Sequence, residues 1–135
     1  MKILCLDYGK ARIGCAISDP LGILATPYAT VHEKNFRIQL QKVNDIISAE
    51  KVEKILMGLP KNMDGSEGES AELAREFAEK LSQLSGLPYE FIDERLSTVE
   101  AHRILNEADM SGSRKRRNVV DTVSAVILLQ AYLDK

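Results

Sequence analysis

The spacing of apolar positions changes period along this chain. Ile3, Leu4, Cys5 and Leu6 form an unbroken apolar run, the pattern of a strand covered on both faces. Gly9 and Lys10 supply a turn, and Ile13 to Ile17 make a returning strand. Asp19-Pro20-Leu21-Gly22 is a second turn signal. Ile23 to Val31 predicts a third strand, with Pro27 admissible if that strand lies at an edge or carries a bulge. From Glu33 to about Glu50 the period becomes helical, with Phe36, Leu40, Val43, Ile46 and Ile47 on one stripe.

The second half alternates between the two periods. Lys54 to Leu59 is a short apolar run stopped by Pro60, which reads as a buried strand, and Lys61 to Gly68 is a polar, glycine-rich loop. Ala74, Phe77, Ala78 and Leu81 share one helical stripe that Gly86 closes, and Pro88 to Asp93 predicts a fifth strand. Ser97-Thr98-Val99-Glu100 has the form of a capping box opening a helix whose stripe is Ala101, Ile104, Leu105 and Ala108. Ser111 to Asn118 reads as a polar, basic loop, and Val119 to about Leu133 as a last helix, apolar around much of its circumference. This order predicts one α/β domain over residues 1–135. Its mixed five-stranded sheet has three antiparallel strands followed by parallel, right-handed crossovers, with helices on both faces.

Composition narrows the class. Hydrophobic residues make up 44% and charged residues 28%, a globular balance. No apolar run is long enough to span a membrane, and the first residues lack a signal-peptide pattern, so a cytoplasmic protein is expected. Cys5 and Cys15 fall in one hairpin as small buried thiols, with a cross-strand disulfide disfavoured in a reducing compartment. His32 and His102 stand apart from each other and from the cysteines, so no zinc-type spacing exists. A net charge of −2 argues against a protein that coats nucleic acid indiscriminately, but leaves room for a nuclease with locally concentrated basic residues.

Three acids stand where acids are costly or conspicuous. Asp7 ends the first apolar run, where an ionised carboxylate needs a partner or a metal, although Asp before Tyr-Gly can also serve simply as a turn-former. Asp93 and Glu94 end the fifth strand, and either can merely mark its exit into solvent. Asp121 lies in the first turn of the last helix, on a stripe with Ala125, Leu128 and Tyr132; the helix dipole alone would favour it there. Ligands of open α/β sheets gather outside the carboxyl ends of parallel strands. If strands one and five are parallel neighbours, or nearly so, Asp7 and Glu94 converge there and Asp121 could close the cluster from the side. Carboxylates without His or Cys suit Mg²⁺ or Mn²⁺, ions that serve phosphodiester displacement.

Basic residues are placed to match. Arg114-Lys115-Arg116-Arg117 directly precedes the helix carrying Asp121, where it is either a solvated surface run or a phosphate-binding track. Arg12, Lys61 and Arg95 lie in segments around the expected site and extend that track. Aromatic residues are only 5%, too few for extensive stacking on bases.

The segments LDYGKARIGCAISD, GLPKNMDGS, FIDERLST and NVVDTVSAVILLQ, in this order, resemble the YqgF (RuvX) family over essentially the whole chain. Its members are described both as nucleases of pre-16S rRNA in ribosome biogenesis and as Holliday junction resolvases. The resemblance implies an RNase H-like fold and a metal-dependent hydrolase. Asp7, Glu94 and Asp121 match the acids of the first, D-E-R and last-helix motifs, with Asp93 competing for the second place. RNase H relatives often carry a fourth acid, whereas Ser124 and Ala125 stand where it is expected. Arg95 and the basic run would orient the phosphate. The implied partners are structured RNA in ribosomal precursor particles or branched DNA, with a monomer or a homodimer both open; resolving a junction requires the symmetric dimer. Two rival classes are a nucleotide-binding module, which needs a second comparable domain, and a non-catalytic ribosome-assembly factor.

Overall fold

The first hairpin forms the middle of the sheet. In the computed structural model, which describes residues 1–62, 64–95 and 113–135 (side chains of the last segment from residue 122 on), β1 (Ile3–Tyr8) pairs antiparallel with β2 (Arg12–Ser18). β2 pairs with β3 (Ala25–His32), and β1 on its other side runs parallel to β4 (Lys54–Leu59). β4 in turn runs parallel to β5 (Tyr89–Asp93), giving the order β3-β2-β1-β4-β5 in one five-stranded sheet. The expected mixed sheet therefore forms. β1 and β5 are near neighbours in it, with β4 alone between them.

The continuous apolar run of β1 is explained by cover on both faces. Leu4 and Leu6 face α1 (Phe36–Glu50) and α2 (Glu69–Ser85), in a core that includes Ile13, Val43, Met57, Phe77 and Leu81. Ile3 and Cys5 face the opposite way, against Ala125, Leu128 and Leu129 of α3 (Ser113–Leu133). Phe77, with no exposed surface, meets both Tyr8 and Phe36, and burying one such side chain is worth about 2–3 kcal/mol. Cys5 and Cys15 belong to the two opposite cores and remain free thiols, since adjacent-strand residues on opposite faces cannot be bridged.

Local chemistry sets the element ends. Asn35 caps α1 by accepting from the Ile38 N–H at 3.1 Å, and Lys51 closes it in a left-handed conformation. Gly86, with φ 78°, closes α2 as its sequence position predicts. Pro27 is accommodated twice over: β3 is an edge strand, and its pairing with β2 shifts register between Cys15 and Ala16, where Ala16 faces Pro27.

α3 departs from expectation at its start. It begins at Ser113, so Arg114 to Arg117 occupy its first turns and not a preceding loop. Arg and Lys are strong helix formers, and polar character alone does not make a loop. The helix predicted from Ser97 lies outside the described residues. Among those described, no helix is long and apolar enough to cross a membrane.

Candidate active site

The carboxyl ends of β1 and β4, with the exit from β5, form one edge of the sheet, and the acids of the sequence collect there. Asp7 sits next to last in β1 on the face that also carries Ile3 and Cys5, which is the α3 face. Glu94 follows β5 directly and is tied to β4 by its backbone N–H, which donates to the Leu59 carbonyl at 3.1 Å. Its side chain turns back over the same face, passing across Gly58 beside Leu128. The Asp7 and Glu94 carboxyl groups meet there in a hydrogen bond.

That pair is electrostatically expensive. Burial, the hydrogen bond that the Asp7 carboxyl donates to Glu94 and the repulsion of Glu94's charge hold the Asp7 carboxyl well above the usual carboxylate range, with the Arg12 guanidinium opposing in part. Burial and the same two acids also push the Cys5 thiol up. The two half-buried carboxyls lie side by side, and all their donor atoms are hard oxygens, the chemistry of a divalent-cation site. The donor set therefore fits Mg²⁺ or Mn²⁺. Among the described residues no group of three acid, His or Cys ligands forms. Asp121 would be the third, and its side chain is outside the described set.

The backbone of α3 nevertheless brings Asp121 to this edge. Tyr132, near the end of α3, takes a 2.7 Å hydrogen bond from Lys54 at the start of β4 and is bonded to Glu90 at the start of β5. Leu128 lies beside Gly58, and Thr122 bonds Thr30 at 3.0 Å. The helix thus runs antiparallel to β1 and β4, with its middle at their carboxyl ends, and Asp121 is its ninth residue and not in its first turn as the sequence suggested. Thr30 pairs with Gly14, which pairs with Asp7, so α3 crosses the row of Asp7 one residue after Asp121. Where a fourth acid is expected, Ser124 and Ala125 are both buried and offer no carboxylate.

Asp93 goes the other way. Its carboxylate holds Arg95, with 2.7 Å to Nη2 and 3.0 Å to Nε, and that hydrogen bonding keeps it below the usual range. Glu94, not Asp93, is the acid that meets Asp7. Arg95 also approaches the loop at Gly65, and Lys61 contributes positive charge near Asp93 and Glu67. Arg12 closes the other side, where residues Asp7 to Arg12 line a small cleft. Arg12 therefore stands beside the acid pair and Lys61 and Arg95 lie on the Asp93 side, while the side chains of Arg114, Lys115, Arg116 and Arg117 lie outside the described set.

Two residues that support the site carry no obvious chemistry. Gln39 of α1 is fully buried beneath the β1–β2 turn. Its Nε2 donates to the carbonyls of Glu33 at 2.7 Å, Lys10 at 3.1 Å and Gly9 at 3.3 Å, and its Oε1 accepts from the Tyr8 hydroxyl at 3.0 Å. It locks the turn between Asp7 and Arg12. Its signal in the sequence is a polar residue on the apolar stripe, three after Phe36 and four before Val43. Gly58 is the second, visible only as a glycine within a buried strand.

Comparison with known proteins gives a consistent pattern. The RuvX family model, described as Holliday junction resolvase, matches residues 1–135. A Moorella thermoacetica protein named "Putative pre-16S rRNA nuclease" is 46% identical over 135 residues, covering 100% of this chain and 96% of its own. A protein of the same name from Ruegeria sp. is 48% identical over 131 residues, covering 96% of this chain and 82% of its own. Among solved structures, T. thermophilus RuvC bound to a Holliday junction substrate superposes with TM-score 0.61 at 9% identity, covering 98% of this chain and 94% of that one. The fowlpox virus resolvase with Holliday junction DNA gives 0.62 at 11% identity, covering 99% and 97%. These two share the RNase H-like fold with this chain.

Proposed function

The chain belongs to the RuvX family, and from that membership we propose that it is a metal-dependent endonuclease that hydrolyses phosphodiester bonds of pre-16S rRNA in the cytoplasm. The observation that carries the proposal is the hydrogen-bonded Asp7–Glu94 pair at the carboxyl edge of the sheet, with the middle of α3 brought to the same edge. Asp7, Glu94 and Asp121 hold Mg²⁺ or Mn²⁺. When bound, such an ion lowers the pKa of an attacking water and stabilises charge on the phosphoryl and leaving oxygens.

The chain's own groups do the rest. Asp7 and Glu94 would hold the ion through their carboxylate oxygens. Arg12 on the β1–β2 hairpin and Lys61 and Arg95 on the opposite loops draw the phosphate backbone across that edge, and Arg114 to Arg117 extend the track along α3. Gln39 keeps the hairpin turn from yielding when the substrate pulls on Arg12.

The preference for precursor rRNA within ribosomal precursor particles rests on the names of the relatives. The family description supports a second reading, cleavage of a four-way DNA junction, which needs a homodimer with two sites. The deciding experiment is cleavage of labelled precursor rRNA and of a four-way junction with Mn²⁺, Mg²⁺ or EDTA, wild type beside Asp7→Asn. Metal-dependent cutting that disappears in the variant supports the nuclease, and the preferred substrate selects the reading. A folded wild-type protein that binds RNA and cuts neither substrate would instead be an assembly factor.

A further inference from the structure

Asp7 stands on β1 and Glu94 just beyond β5, with β4 between those strands, which lie two strand spacings or roughly 10 Å apart. Their carboxyls are hydrogen-bonded all the same. The β4 residue in the gap is Gly58: one step beyond the Leu6–Met57 pair the register sets it beside Asp7, and on its other side it pairs with Ile92. A Cβ on Gly58 would stand 2.8 Å from Glu94 Cγ, 2.8 Å from Glu94 Oε1 and 2.9 Å from Leu128 Cδ1. Real side chains do not tolerate such distances, so the Glu94 carboxylate occupies space that any other residue would fill.

Gly58 has no conformational reason to be glycine. Positive φ angles occur among the glycines at Gly22, Gly65 and Gly86, and Gly58 is not one of them. A glycine inside a strand is a liability of about 0.5–1 kcal/mol relative to alanine. The residue at 94 complements it, because Glu is one methylene longer than Asp and has a gap to cross. We infer that Gly58 is a positioning residue of the active site, whose missing side chain opens the space through which Glu94 crosses β4 to reach Asp7. The inference rests on the reading of Asp7 and Glu94 as a metal-holding pair.

The test uses the full chain and Mn²⁺ alone as probe, with affinity read by electron paramagnetic resonance and turnover on precursor rRNA. Thermal melts establish that each variant is folded. Gly58→Ala is expected to weaken Mn²⁺ binding and lower kcat by roughly ten- to a hundredfold, with KM for RNA unchanged. Introduced into Glu94→Ala, where the obstructed side chain is gone, the same change is expected to add nothing to either loss. Glu94→Asp, which keeps the charge and leaves Gly58 intact, is expected to lose as much as Glu94→Ala.

Unchanged binding and kcat in Gly58→Ala would overturn the inference, as would an equal loss with and without Glu94, which marks a mere packing defect. Should Gly58→Ala fail to fold, Glu94→Asp carries the test, and wild-type activity there would show that no crossing is needed. Wild-type behaviour of Glu94→Ala itself would remove the metal-site reading. Loss in Glu94→Ala beside a silent Gly58→Ala would remove only the role of Gly58.

Discussion

Asp7 and Glu94 share a hydrogen bond across an intervening strand, and the energetics of that contact are unfavourable until a cation joins it. Burial and mutual repulsion both raise the Asp7 carboxyl. A pair held this way gains little from being folded and much from being neutralised. That relationship makes the site legible as a binding site, and it leads to measurable consequences.

Replacing Asp7 by Asn should reduce metal-dependent cleavage by at least roughly a hundredfold while raising the melting temperature of the metal-free protein. The sign follows from linkage: an acid whose folded pKa lies above its unfolded value binds more protons when folded, so stability falls as pH rises from about 3.9 through the folded pKa. Urea unfolding between pH 4 and pH 8 should show that fall for wild type relative to Asp7→Asn, and Mg²⁺ or Mn²⁺ should abolish it. A variant less stable than wild type across this range would remove the argument.

Asp93 should behave quite differently from its neighbour. Its partner Arg95 is largely exposed, so Asp93→Asn loses a surface ion pair worth about 0–1 kcal/mol. Cleavage by Asp93→Asn should stay close to wild type, whereas Glu94→Gln should be inactive. Side-by-side turnover measurements of the two variants decide the assignment of the inward acid.

Gln39→Leu should destabilise the protein by about 1–3 kcal/mol, because it takes the partner from the part-buried carbonyls of Gly9, Lys10 and Glu33 and from the Tyr8 hydroxyl together. Denaturant midpoints measure this directly. Crystal structures of the variant should show the Gly9-Lys10 turn displaced, and with it Arg12.

Paired alanine substitutions in Arg114 to Arg117 should raise KM for RNA with little change in kcat. Each lost phosphate contact should flatten the salt dependence of binding by about one unit of slope. Binding measured from low to moderate salt checks this, and an unchanged slope would mean that the run is only a solvated surface.

Short-range pattern was enough for much of this protein. An unbroken apolar run means a strand with both faces covered, a stripe at helical spacing means a helix laid on a sheet, and Gly86 and Pro27 mark an end and an edge. The misplacement of Arg114 to Arg117 in a loop came from equating charge with irregular structure, although those side chains sustain a helix well. Gln39 hid because a polar residue on an apolar stripe has no visible partner until the turn it serves is folded beneath it.

What the amino-acid order determined by itself is the five strands, the three described helices, the mixed sheet and the acids at the ends of β1 and β5. Those features rest on periods of two and of about 3.6 residues, which neighbours in sequence express. The tertiary structure alone decided that β4 separates β1 from β5, that Glu94 turns in while Asp93 turns out, and that Gly58 leaves the room for it. Strand order depends on contacts between distant segments. The choice between two adjacent acids at a strand exit depends on which finds open space and which finds Arg95, and neither fact exists before the sheet is assembled.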